Sequence, residues 1–107
     1  MRKEEFMSQI ADCKLPDHFD EHLLDHAASM FGQWGLSRHM SEQEHLFEKF
    51  GLDDRKDDSL ELKSEKQALR CIAQKLMKMQ VSREDASELM KNLNRIRDPS
   101  YISKLWG

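Results

Sequence analysis

His18, His22 and His26 recur at four-residue intervals in a stretch dense in carboxylates. On a helix this spacing stacks the three side chains along one ridge and lets two imidazoles share a metal ion. His18-Phe19-Asp20-Glu21-His22 adds an order of residues in which two histidines bind zinc and the glutamate between them activates a water molecule. These histidines are therefore the metal candidates. No motif supplies a third ligand, and the same ridge suits a solvated, pH-sensitive edge beside an apolar stripe.

A second acidic stretch, Leu52 to Ser59 (LDDRKDDS), invites comparison with a calcium loop. With Asp54 at position one, Asp58 and Glu65 fall at positions five and twelve, but Lys56 stands at position three and Ser59 where the sharp turn needs glycine. A solvated acidic loop is the expectation. No glycine-rich phosphate loop and no nucleophile elbow occurs, and neither Cys13 nor Cys71 is paired by a motif with a base. The sequence thus points to no enzyme and no cofactor.

Charge points to binding instead. Met1 to Leu62 holds 7 Lys/Arg against 15 Asp/Glu, and Lys63 to Gly107 holds 10 against 5. One half carries −8 and the other +5, the balance expected of opposed acidic and basic faces. Asp17, Glu21 and Asp25 form the candidate acidic face, and Lys66, Arg70, Lys75, Lys78, Lys91 and Arg95 the candidate basic face. The expected function is that of a non-enzymatic interaction or regulatory module whose partner is another protein, with self-association between complementary faces as a corollary. The alternative is a DNA- or RNA-binding regulator using the basic C-terminal helices. Ile72 to Leu76 followed by Val81 to Ala86 loosely resembles a helix-turn-helix, although Glu84, Asp85 and Glu88 put carboxylates where a recognition helix would approach DNA. Gln67-Ala68-Leu69-Arg70, Leu89 to Leu93 with Ile96, and Ile102 to Leu105 have spacings loosely similar to the last helices of the death-domain superfamily, and Leu46 to Leu52 to its second helix. That resemblance implies a six-helix protein-interaction module.

The elements that must position these residues are helices. The 107 residues include only two prolines and four glycines, and no stretch alternates apolar and polar residues over a strand's length. The expectation is an all-α fold, a single compact domain of five or six short amphipathic helices. The first covers about Lys3 to Cys13. A second begins near Asp17 with the stripe Phe19, Leu23, Ala27 and Met30, and a third is capped by Ser41 and stops at Gly51. A fourth runs from about Leu60 or Ser64 to Met79 with the stripe Leu69, Ile72, Leu76 and Met79. Ser82 caps a fifth carrying Ala86, Leu89, Met90, Leu93 and Ile96, and a short sixth follows Asp98-Pro99. The 52–59 segment is the mobile connection between the acidic half and the basic helical hairpin.

Hydrophobic residues make up 38% of the chain, charged residues 35%, and mean hydropathy is −0.80. No apolar run approaches the roughly 18 residues of a membrane span, and the N-terminus shows no signal-peptide pattern. A cytoplasmic location with no membrane partner is expected, with Cys13 and Cys71 as free thiols and Cys71 on the polar side of its helix. Met77, Met79 and Met90 either fill the core or line an adaptable groove.

Overall fold

The computed structural model describes residues 3–34, 40–79 and 81–97, all helix, turn or irregular chain with no strand among them. The order is α1 (Lys3–Ile10), a 3-10 turn (Ala11–Cys13), α2 (Glu21–Trp34), α3 (Met40–Lys49), α4 (Leu60–Lys78), α5 (Arg83–Lys91) and α6 (Leu93–Arg97). The fold is all-α, as the punctuation and periodicity require. The expected helix after Asp98-Pro99, with Tyr101, Ile102, Leu105 and Trp106, lies outside the described residues.

Most stripes are buried as their spacing dictates. Phe6 and Ile10 of α1, Leu23, Ala27 and Met30 of α2, and Leu69, Ile72 and Leu76 of α4 meet Ala86, Met90, Leu93 and Ile96 in one core. Met77 and Met90 are fully buried, so these methionines fill the core. The longest helix, α4, is capped by Ser59, whose hydroxyl accepts from the Leu62 amide at 3.1 Å, and α5 is capped by Ser82, whose hydroxyl accepts from the Asp85 amide at 3.1 Å.

Helix ends depart from the expectation where local chemistry intervenes. α1 tightens into the 3-10 turn after Ile10 and is stopped by Lys14, which adopts a left-handed conformation with φ 56°. α2 begins at Glu21, not Asp17, because the Asp20 carboxylate accepts from the His22 amide at 2.7 Å and so caps the helix. α3 begins at Met40, which puts Ser41 inside its first turn. Its other end is a Schellman motif: Gly51 takes φ 73°, its amide donates to Glu48 O at 3.2 Å, and the Leu52 amide donates to Phe47 O at 2.7 Å. The Leu52 and Phe47 side chains are both buried beside it. The stripe Ala86, Leu89, Met90, Leu93 and Ile96 is buried as expected, but the helix that carries it is interrupted at Asn92, which separates α5 from α6.

The two cysteines correct the free-thiol expectation. Cys13 at the end of the 3-10 turn and Cys71 on α4 are joined in a disulfide with Cα atoms 5.7 Å apart. Because the tightened turn carries Cys13 against α4, residues 58 apart in sequence become neighbours. Disulfides persist in oxidising environments, so the thiol argument for a cytoplasmic location no longer holds. Among the described residues no helix is long and apolar enough to cross a membrane.

Candidate functional site

α2 runs antiparallel to α5 and α6, as two ties show: Ser87 Oγ of α5 donates to Ala28 O at 2.9 Å, while at the start of α2 Asn94 Nδ2 of α6 donates to Glu21 Oε1 at 3.1 Å. Small residues allow the close approach. A Cβ added at Gly32 would lie in ordinary van der Waals contact with Ser87 Oγ, at 3.9 Å. A groove of about 560 Å³ lies there, lined by Gly32 of α2, by Arg83, Glu84, Ser87, Glu88 and Lys91 of α5, and by Asn92 and Arg95.

Its charge is organised by the helical repeat. Arg83, Ser87 and Lys91 follow one another at four-residue steps, and Arg95 extends the row onto α6. Glu84 and Glu88, with Asn92 beyond them, make a parallel acidic row. The Glu84 carboxyl is held below the ordinary carboxylate value, first by its own backbone amide and then by Arg83, whose Nε lies 3.4 Å away. It is an anion at neutral pH. The groove thus presents three cations beside two carboxylates, all exposed.

The candidate basic face divides. Lys78, Lys91 and Arg95 are exposed. Lys66 is not: its side chain is 6% exposed, and Nζ donates to Asp53 O at 3.1 Å and to Asp58 Oδ2 at 2.7 Å. Arg70 Nη1 donates to Leu52 O at 2.6 Å while its guanidinium faces the Asp54 carboxylate, and Lys75 pairs with Asp12 at 2.5 Å. Helical counting assigned these three side chains to solvent. Tertiary packing turns them onto the 52–58 segment and the 3-10 turn instead.

The same contacts dispose of the calcium comparison. Asp54 faces Arg70, Asp58 faces Lys66, and Glu65 accepts from the Asp20 amide at 2.9 Å, so the three would-be ligands are directed at protein partners. The Lys66 ammonium sits inside the acidic loop, satisfying a carbonyl and a carboxylate at once. This segment, expected to be mobile, is pinned from α4 at two successive positive side chains.

Of the acidic candidates, Asp17, Glu21 and Asp25 are all exposed, and Glu21 also meets Asn94. The histidine ridge does not form. His18 lies in the bend ahead of α2, with Nε2 3.4 Å from Asn94 Nδ2, and only His22 and His26 share the helix, both exposed. Among the described residues no group of three or more His, Cys, Asp or Glu side chains is placed to hold a metal ion.

Sequence reasoning missed Asn94 and placed Glu65 only in the calcium comparison. Asn94 Oδ1 accepts from the Phe19 amide at 2.9 Å and Nδ2 donates to the Phe19 carbonyl at 2.8 Å. With Glu65 on the next amide, the chain entering α2 is held from both α4 and α6. The available signal was weak: an asparagine just inside a helix interrupted by a second asparagine. No protein-family model, no curated protein and no solved structure matches the chain, so the groove must be interpreted from its own chemistry.

Proposed function

We propose that this chain is a non-catalytic binding module that docks a segment of another protein in the groove along α5. The observation that carries this reading is the pairing of the Arg83–Lys91–Arg95 row with the Glu84–Glu88 row in one open groove. A polypeptide segment can match both signs, placing carboxylates on Lys91 and Arg95 and a cation on the glutamates, and such complementarity fixes register and excludes wrong partners. A nucleic-acid backbone offers phosphates alone, which Glu84 and Glu88 would repel. The pairing of Lys66, Arg70 and Lys75 with Asp58, Asp54 and Asp12 further thins the free positive charge that could track phosphates.

The test is selection of a random-peptide display library on the intact chain, followed by affinity measurement against the R83E/K91E/R95E variant. Selected peptides rich in Asp and Glu whose binding disappears in that variant are expected. Peptides that bind both proteins equally would overturn the reading. Failure to select any, together with binding of random-sequence DNA or RNA that weakens steeply with salt, would replace it with the nucleic-acid alternative.

A further inference from the structure

The Cys13–Cys71 bond joins two residues of unequal burial. Cys13 is buried, at 6% exposed, whereas Cys71 is half-buried at the margin of the core. The bond also joins elements with unequal support. α1 and the 3-10 turn have α4 as their principal neighbour, through the apolar packing of Phe6 and Ile10, the Lys75–Asp12 pair and the disulfide itself. An eight-residue helix such as α1 is too short to persist without its packing. The rest of the fold is tied independently, by Asn94 on Phe19, Glu65 on Asp20, Ser87 on Ala28 and Lys66 on Asp58.

We propose that the Cys13–Cys71 bond is a thiol–disulfide exchange site, opened by a dithiol that attacks Cys71, and that its opening loosens Lys3–Cys13 from α4. A thiolate of the dithiol bonds to Cys71 Sγ while the bond to Cys13 Sγ breaks, and Cys13 leaves as a thiolate that takes up a proton. The second thiol of the reagent, deprotonated, then attacks the mixed disulfide and displaces Cys71, which is protonated in turn. The protein gains two thiols and the dithiol becomes a disulfide, a two-electron transfer. Without the covalent tie, only the packing of Phe6 and Ile10 and the exposed Lys75–Asp12 pair hold the segment, so it opens far more often than the body of the fold.

Two measurements on the full chain test this proposal. Treatment with the monothiol glutathione, then alkylation and peptide mapping, should place glutathione on Cys71 and the alkyl group on Cys13. Amide hydrogen exchange with and without dithiothreitol should show at least about tenfold faster exchange across residues 4–13 in the reduced protein, with α2 and α5 unchanged. The C13S/C71S variant should reproduce that pattern without reductant and ignore dithiothreitol. Glutathione on Cys13, a bond that resists dithiothreitol until the chain is denatured, or exchange that accelerates equally in α2 and α5 would each overturn the proposal. So would two free thiols in protein purified without reductant.

Discussion

Asn94 grips the Phe19 peptide from both sides, accepting its amide hydrogen at 2.9 Å and donating to its carbonyl at 2.8 Å. The side-chain amide behaves like a short piece of neighbouring backbone, satisfying an irregular segment just ahead of α2. Phe19 itself is fully buried, so the grip sets where a core side chain enters.

Replacing Asn94 should therefore cost more than a surface change. Asn94→Ala leaves a partly buried donor and acceptor without these partners and should lower unfolding free energy by about 1–3 kcal/mol in urea titration. Asn94→Asp keeps an acceptor for Phe19 but turns the donor arm into a carboxylate facing Glu21 and the Phe19 carbonyl. It should be no better than alanine, and a neutral result for either variant would refute the role.

Two glycines should respond to alanine in opposite directions. Gly32 lies within α2, and a Cβ there meets only Ser87 Oγ at an ordinary 3.9 Å, so Gly32→Ala should raise stability by about 0.5–1 kcal/mol. Gly51 also has room, with His26 Nδ1 3.8 Å from the added carbon, but its φ of 73° belongs to the left-handed region. Gly51→Ala should lower stability by about 1–2 kcal/mol through backbone strain alone. Thermal or urea unfolding of the pair decides both signs.

Acid should weaken the loop that Lys66 holds. The hydrogen bond from Lys66 is the leading cause that keeps the Asp58 carboxyl below its ordinary value of 3.8. A depressed folded-state value means the stabilisation is fully present above that ordinary value and disappears as pH falls through the folded one. Asp12, lowered first by its hydrogen bond from Lys75, has the same sign. Wild-type stability measured from pH 6 downward should thus fall below about pH 4 more steeply than that of Asp58→Asn. Identical slopes would show that the pair contributes no pH dependence.

The α5 cap should matter to the groove as well as to the helix. Ser82→Ala removes the acceptor for the Asp85 amide and should cost about 1 kcal/mol, with faster amide exchange in the first turn, where Arg83 and Glu84 stand. Affinity for any peptide that uses those two residues should fall along with it.

What the sequence disclosed followed from local rules. The Leu69, Ile72 and Leu76 stripe needs only a 3.6-residue period, and the Ser82 cap needs only its spacing to Asp85, so both were legible. His18 was misplaced because two aspartates competed for one helix start, and Asp20 prevails by bonding the His22 amide. Lys66, Arg70 and Lys75 were assigned to a binding face because helical counting gives an angle and says nothing of which distant segment lies there. Asp58, Leu52 and Asp12, from 8 to 63 residues away, decide that. The groove was half visible: Lys91 and Arg95 were singled out, but as part of a wholly basic surface, since only the packing of α5 on α2 shows the glutamates sharing the opening.

The disulfide gives the chain the topology of a ring with two tails, the N-terminal one carrying α1 and the C-terminal one running on from Cys71. The sequence from Cys13 to Cys71 is covalently closed and contains α2, α3 and the loop held by Lys66, while α5 and α6 belong to the C-terminal tail, which folds back onto α2. A protease that nicks the backbone anywhere between Asp53 and Ser59 would therefore release no fragment, because both new ends remain joined through sulfur. The nicked molecule would keep the mass of the intact chain plus one water until a reductant parted its halves.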